Sequence, residues 1–172
     1  QPQTEDLACT ASIYSETGLT FEEGGSAICR FLSCLAWSKG AGVSELFIAG
    51  SNNSIRPGRL GRGTYGVSPC SPVDPWDLLY LPQPQSEKAR LALGIFREGM
   101  SINSIPFAFL SYFKILNVLS GSGSDQKNWI NNNLSLLWYQ PAVNRLNEVK
   151  VSNSDIGAYL YHQGRCAVAH AF

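Results

Sequence analysis

The chain has 172 residues, 44% of them hydrophobic and 15% charged, with 13 Lys+Arg against 13 Asp+Glu. That composition belongs to a folded protein with a real core and excludes wholesale disorder. Zero net charge excludes a whole-protein attraction to nucleic acid or anionic membrane, so such binding would need a local patch. No apolar run reaches the roughly 18 residues of a membrane span, and 105–119 is broken by Pro106, Ser111, Lys114 and Asn117.

The N-terminal QPQTEDLACT lacks a basic stretch followed by an apolar block, so no signal peptide is expected. It also lacks a starting Met, and the chain stops at Phe172 inside an apparent helix, as a processed or truncated chain would. Cys9, Cys29, Cys34, Cys70 and Cys166 are odd in number and form no CxxC pair. Reduced thiols in a cytoplasm are the reading these spacings favour.

In chain order, residues 8–18 are rich in β-formers and close on Thr17-Gly18, which predicts a strand and a turn. Thr20 with Glu23 makes a capping box, predicting a helix to about Ser38 with Ile28, Phe31, Leu32 and Leu35 as its apolar stripe and Gly40 beyond its end. SELFIA (44–49) predicts a second strand. Residues 50–85 are punctuated by glycine and proline and read as a long loop, with a domain boundary near Pro84.

Four helices are then predicted. The first starts at Ser86-Glu87 and breaks at Asn103-Ser104; the second spans 105–119, with Pro106 in its first turn. SGSGS (120–124) reads as a flexible connector, and Asp125 as the cap of a third helix ending before Pro141. Ser154 or Asp155 caps the last, IGAYLYHQGRCAVAHAF. The fold class expected is therefore α+β: a strand–helix–strand element with its long loop over 1–85, and a bundle of about four helices over 86–172.

On ordinary α-helical winding, Ile156, Leu160, Gln163, Ala167 and His170 fall on one side of the last helix, and Arg165 lies about 140° from His170. Histidine can move protons near neutral pH, and the arginine fork suits phosphate, a pairing fit for phosphodiester chemistry. The plainer reading is a solvated Arg165 and a His170 serving a helix–helix contact. His162, Cys166 and His170 also recur every four residues and could face one metal ion, but a fourth ligand is missing nearby, and no metal or other cofactor is expected. Cys166 beside a histidine could be read as a thiol nucleophile, against its reading as a small buried hydrophobe. Arg56, Arg59 and Arg62 stand among glycines with no acid close by and are candidate nucleic-acid contacts; the alternative is a solvated loop. The aromatic set Phe96, Phe107, Phe109, Tyr112 and Phe113 reads as core.

Arg165 and His170 form an R-x4-H motif in the last helix of a helical unit, and in this the chain resembles the HEPN superfamily. KARLALGIFREGMSINSIPFAFLSYFKILNVL and YLYHQGRCAVAHA are similar to segments of HEPN-like proteins of methylamine-utilisation operons. The resemblance covers about residues 86–172. It implies a homodimer whose two motifs share a cleft, and a metal-independent RNA-binding or RNA-cleaving module with Arg165 and His170 as its site. Active members commonly carry a polar residue directly after the arginine, where this chain has Cys166. The other reading is a non-catalytic interaction or assembly module of a bacterial accessory protein.

Overall fold

A computed structural model describes residues 13, 15, 18–43 and 78–170. Of these, 76% are helical and none lies in a strand, so over the described residues the α+β expectation is corrected to a helical architecture. Of the first expected strand only Ile13, Ser15 and Gly18 are described, none in regular structure, and residues 44–49 lie outside the described set. The physical reason for the error is that β-forming residues specify a strand only with a partner to pair with, whereas a helix satisfies its own backbone.

The first helix, α1 (Phe21–Lys39), begins and ends as its sequence dictates. Thr20 Oγ1 accepts from the Glu23 amide at 3.2 Å, and the Glu23 carboxylate accepts from the Thr20 amide at 2.9 Å. Gly40 closes the helix at φ 59°, a left-handed conformation that suits glycine. The buried positions are Ser33, Cys34, Leu35 and Ala36, slightly displaced from the expected stripe.

Helix α2 (Glu87–Ser101) starts on Ser86, whose hydroxyl accepts from the Ala89 amide, and α3 (Ile105–Leu119) carries its proline in the first turn. Helix α4 (Gly123–Asn133) starts within the expected connector, because Ser122 rather than Asp125 is its cap. Gln126, 4% exposed, reaches back to Asn117 Oδ1 at 2.5 Å and to the Ser120 carbonyl at 3.3 Å, fixing the turn between α3 and α4. A short 3-10 turn (Leu134–Leu136) follows.

Helix α5 (Gln140–Ser152) was not expected. Pro141, read as the end of the preceding helix, sits in the first turn of this one, where its missing N–H has no helical partner to lose. Helix α6 runs from 156 to 169: four α-helical residues (Ile156–Tyr159), seven wound as a π-helix (Leu160–Cys166), and a last α-helical turn (Ala167–Ala169).

Two apolar groups share α3. On one, the Trp37 ring meets Phe96 edge-on at 5.0 Å, Phe96 lies 6.0 Å from Tyr112, and the Tyr112 hydroxyl donates to Met100 Sδ. On the other, Phe113, Ile130 and Ile156 form the buried centre, with Phe109, Leu116, Leu146, Val149 and Leu160 around it. Phe107, expected in the core, is 45% exposed. No single described helix is long and apolar enough to cross a membrane; Ile105–Leu119 and Gly123–Leu136 reach that length only together, across a 104° bend.

The tightest contact joins α4 and α6. A Cβ on Gly157 would lie 2.2 Å from the Lys127 carbonyl oxygen. The Gly157 amide donates to Asn131 Oδ1 at 2.8 Å, and Asn131 Nδ2 donates to Asp155 Oδ1 at 2.8 Å. Asp155 also accepts from the Ala158 amide, capping α6. These bonds, the Asn131 amide first, hold the Asp155 carboxyl below its usual range.

Gly157→Ala should therefore lower unfolding stability by about 2 kcal/mol or more, since backbone blocks its methyl. Gly94→Ala, inside α2 with nothing within 4 Å, should raise it by about 0.5–1 kcal/mol; urea titrations read both. A carboxyl depressed in the folded state stabilises fully above its unfolded pKa, and the gain is lost as pH falls through the lower folded value. Urea midpoints followed downward from pH 6 should fall less steeply in Asp155→Asn than in the wild type below about pH 4.

Candidate functional site

The seven-residue π segment carries the expected pair's neighbourhood. Its wide turn changes which residues face inward. On α-helical winding Gln163 and Ala167 would follow Leu160, but both are exposed; Gly164 instead meets Phe109, where a Cβ would lie 2.7 Å from the ring. Val168 joins Gly164, Pro106 and Phe109 along a groove of about 330 Å³ between the start of α3 and α6. π-turns inserted in α-helices are frequent at functional sites.

Tyr161 is the centre of the polar cluster. Its ring packs edge-on against Phe113 at 6.4 Å and lies 5.1 Å from the His162 ring. Arg165, one turn on and half-buried, places its guanidinium carbon 5.2 Å from the Tyr161 ring centre. Arg165 Nη1 donates to Tyr161 Oη over a long 3.5 Å and to Cys166 Sγ at 3.7 Å. Lys127, from α4, sets its ammonium 5.6 Å from the same ring. The Tyr161 hydroxyl packs onto Gly123, where a Cβ would lie 2.7 Å from the oxygen.

His170 ends α6 and is exposed; its amide donates to the Cys166 carbonyl at 3.1 Å. Arg165 and His170 share no hydrogen bond among the described residues, so within one chain the fold joins Arg165 to Tyr161 rather than to His170. No group of three His, Cys, Asp or Glu among the described residues could hold a metal ion, so His162, Cys166 and His170 do not converge. Cys29, Cys34 and Cys166 form no disulfide among the described residues, and burial pushes the Cys34 thiol up; Cys9 and Cys70 lie outside the described residues. Arg56, Arg59 and Arg62 also lie outside them.

Sequence reading missed Tyr161 and Lys127. Tyr161 stands four residues before Arg165, a spacing that lets two helical residues touch, and could have been paired with it. Lys127 is on another helix, and no local spacing announces it.

Residues 92–172 match the family described as Methylamine utilization protein MauJ, which agrees over that segment with the methylamine-utilisation resemblance. Comparison with curated proteins and with solved structures gives no match.

Proposed function

We propose that the C-terminal helical unit is a HEPN-like module of a methylamine-utilisation accessory protein, and that it binds and cleaves RNA as a homodimer without a metal. The observation that carries this reading is the state of the two candidate groups. Arg165 is half-buried, steered by Tyr161 and without a carboxylate partner among the described residues, while His170 is exposed and its side chain has no partner among them. An oriented guanidinium is fit to hold a phosphate, and a free imidazole to move a proton.

In the reaction, His170 takes the proton of an RNA 2′-hydroxyl, and that oxygen attacks the adjacent phosphorus. The bond from phosphorus to the 5′-oxygen breaks, and the leaving oxygen takes up a proton from the His170 imidazolium, which returns the histidine to its starting state. Arg165 balances charge on the phosphoryl oxygens throughout. The products are a 2′,3′-cyclic phosphate and a 5′-hydroxyl. Two copies, with their last helices together, would supply two such pairs.

A second reading is favoured by a different surface. Leu136, Leu137, Trp138 and Tyr139 follow one another at 71%, 40%, 86% and 58% exposure, a run of apolar side chains more typical of an interaction face than of solvated surface. On that reading the chain is an assembly module without chemistry.

Incubating single-stranded and structured RNA with protein in EDTA separates the two. Wild type should cleave, and Arg165→Ala and His170→Ala should each lower the rate about 100-fold or more. Because His170 is exposed, its replacement should change stability by less than about 0.5 kcal/mol, so lost activity would not be lost fold. Absence of cleavage by wild type would sink the enzymatic reading in favour of the assembly module.

A further inference from the structure

Two cations converge on one aromatic ring. Arg165 and Lys127 stand 5.2 and 5.6 Å from the centre of Tyr161, and they arrive from different helices, α6 and α4. Neither is within ion-pairing distance of a carboxylate among the described residues. Asp155, whose carboxyl feels the charge of Lys127, is committed to Asn131 and to the Ala158 amide, both at 2.8 Å. Asp125, in the first turn of α4, accepts instead from Ser122 Oγ at 2.6 Å.

The face of a tyrosine attracts a cation, but two like charges drawn to the same ring also repel each other, and an anion between them would remove that repulsion. The Tyr161 hydroxyl, which accepts from Arg165, has its own hydrogen uncommitted among the described residues and is a third donor. Its oxygen rests against Gly123, so the hydroxyl faces the start of α4, where backbone N–H groups lack helical partners.

We propose that Lys127, Tyr161 and Arg165 form one subsite for a phosphate group. Arg165 offers a fork, Lys127 a point charge and Tyr161 a neutral donor, a set suited to the several oxygens of a phosphate. The phosphate can come from an RNA backbone or from a free phosphate compound. Where the source is RNA, the inference rests on the proposed function and adds Lys127 and Tyr161 to it as groups that position the strand beside His170.

The test measures binding of a labelled single-stranded RNA by fluorescence anisotropy in EDTA at several salt concentrations, with a parallel melting series in inorganic pyrophosphate at constant ionic strength. Lys127→Gln should weaken RNA binding several-fold and flatten the slope of log affinity against log salt by about 0.7, one phosphate contact on a single strand. Lys127→Arg should restore both, which a merely unfolded variant would not do. Tyr161→Phe, which keeps the ring, should weaken binding without changing the slope.

A Lys127→Gln protein with wild-type affinity and slope overturns the subsite, even if Arg165→Ala abolishes cleavage and the proposed function stands. RNA that binds but is not cleaved removes the cleavage mechanism and leaves the subsite to be decided by Lys127→Gln. If wild type binds no RNA, a pyrophosphate-dependent rise in melting temperature that Lys127→Gln abolishes supports the subsite with free phosphate compounds as its source. No such rise in wild type overturns it.

Discussion

The close approach of α6 to α4 at Gly157 is the contact on which the rest of the C-terminal structure depends. With no side chain there, the α6 backbone comes down onto the Lys127 carbonyl, and Asn131 locks it by bonding both the Gly157 amide and the Asp155 cap. Tyr161 lies four residues further along α6, so seating Gly157 on Lys127 delivers the Tyr161 ring to Gly123 and to the Lys127 ammonium. The same seating buries Ile156 against Ile130 and Phe113. A larger residue at 157 would lift the helix and undo packing and polar cluster together.

Helix α3 lets this contact reach the remainder of the described chain. It is the most apolar of the helices, and its neighbours Tyr112 and Phe113 diverge, the first toward Phe96 and the second toward Tyr161. Gly99 permits Tyr112 to approach α2 closely, as Gly164 permits Phe109 to approach α6. Small residues thus mark both sides on which α3 is approached, and aromatic rings fill the space they leave.

Much of this was legible in the sequence where residues a few positions apart set a helix end. The Thr20–Glu23 box, the Ser86 cap, Pro106 and Gly40 each fix a helix end through atoms a few residues apart, and each stands where expected. Pro141 misled because the same ring that ends one helix is comfortable in the first turn of the next, and PAVNRLNEVKVS is too polar to announce a buried face. The fold class was misread because strand pairing is non-local and short-range residue patterns do not report it. The candidate site was half legible: Arg165 and His170 stand out by chemistry as candidates, but Lys127 is set beside Tyr161 only by tertiary packing, and the inward positions after Leu160 moved because the helix is π-wound there.

That winding also says how the segment tolerates changes of length. A π turn holds one more residue than the α turn it replaces, so α6 carries its extra residue within Leu160–Cys166 as slack. Deleting one residue there would let the helix close into ordinary α geometry without breaking it. Phase beyond the deletion would be nearly kept, because six residues wound as an α-helix turn through about as much as seven wound as a π-helix. If the lost residue lay between Tyr161 and Arg165, the two would stand three apart on an α-helix and still share a face, while Ile156 and its core stayed in place. The wide turn thus lets the segment lose a residue while Arg165 and His170 keep their direction relative to the packing that anchors their helix.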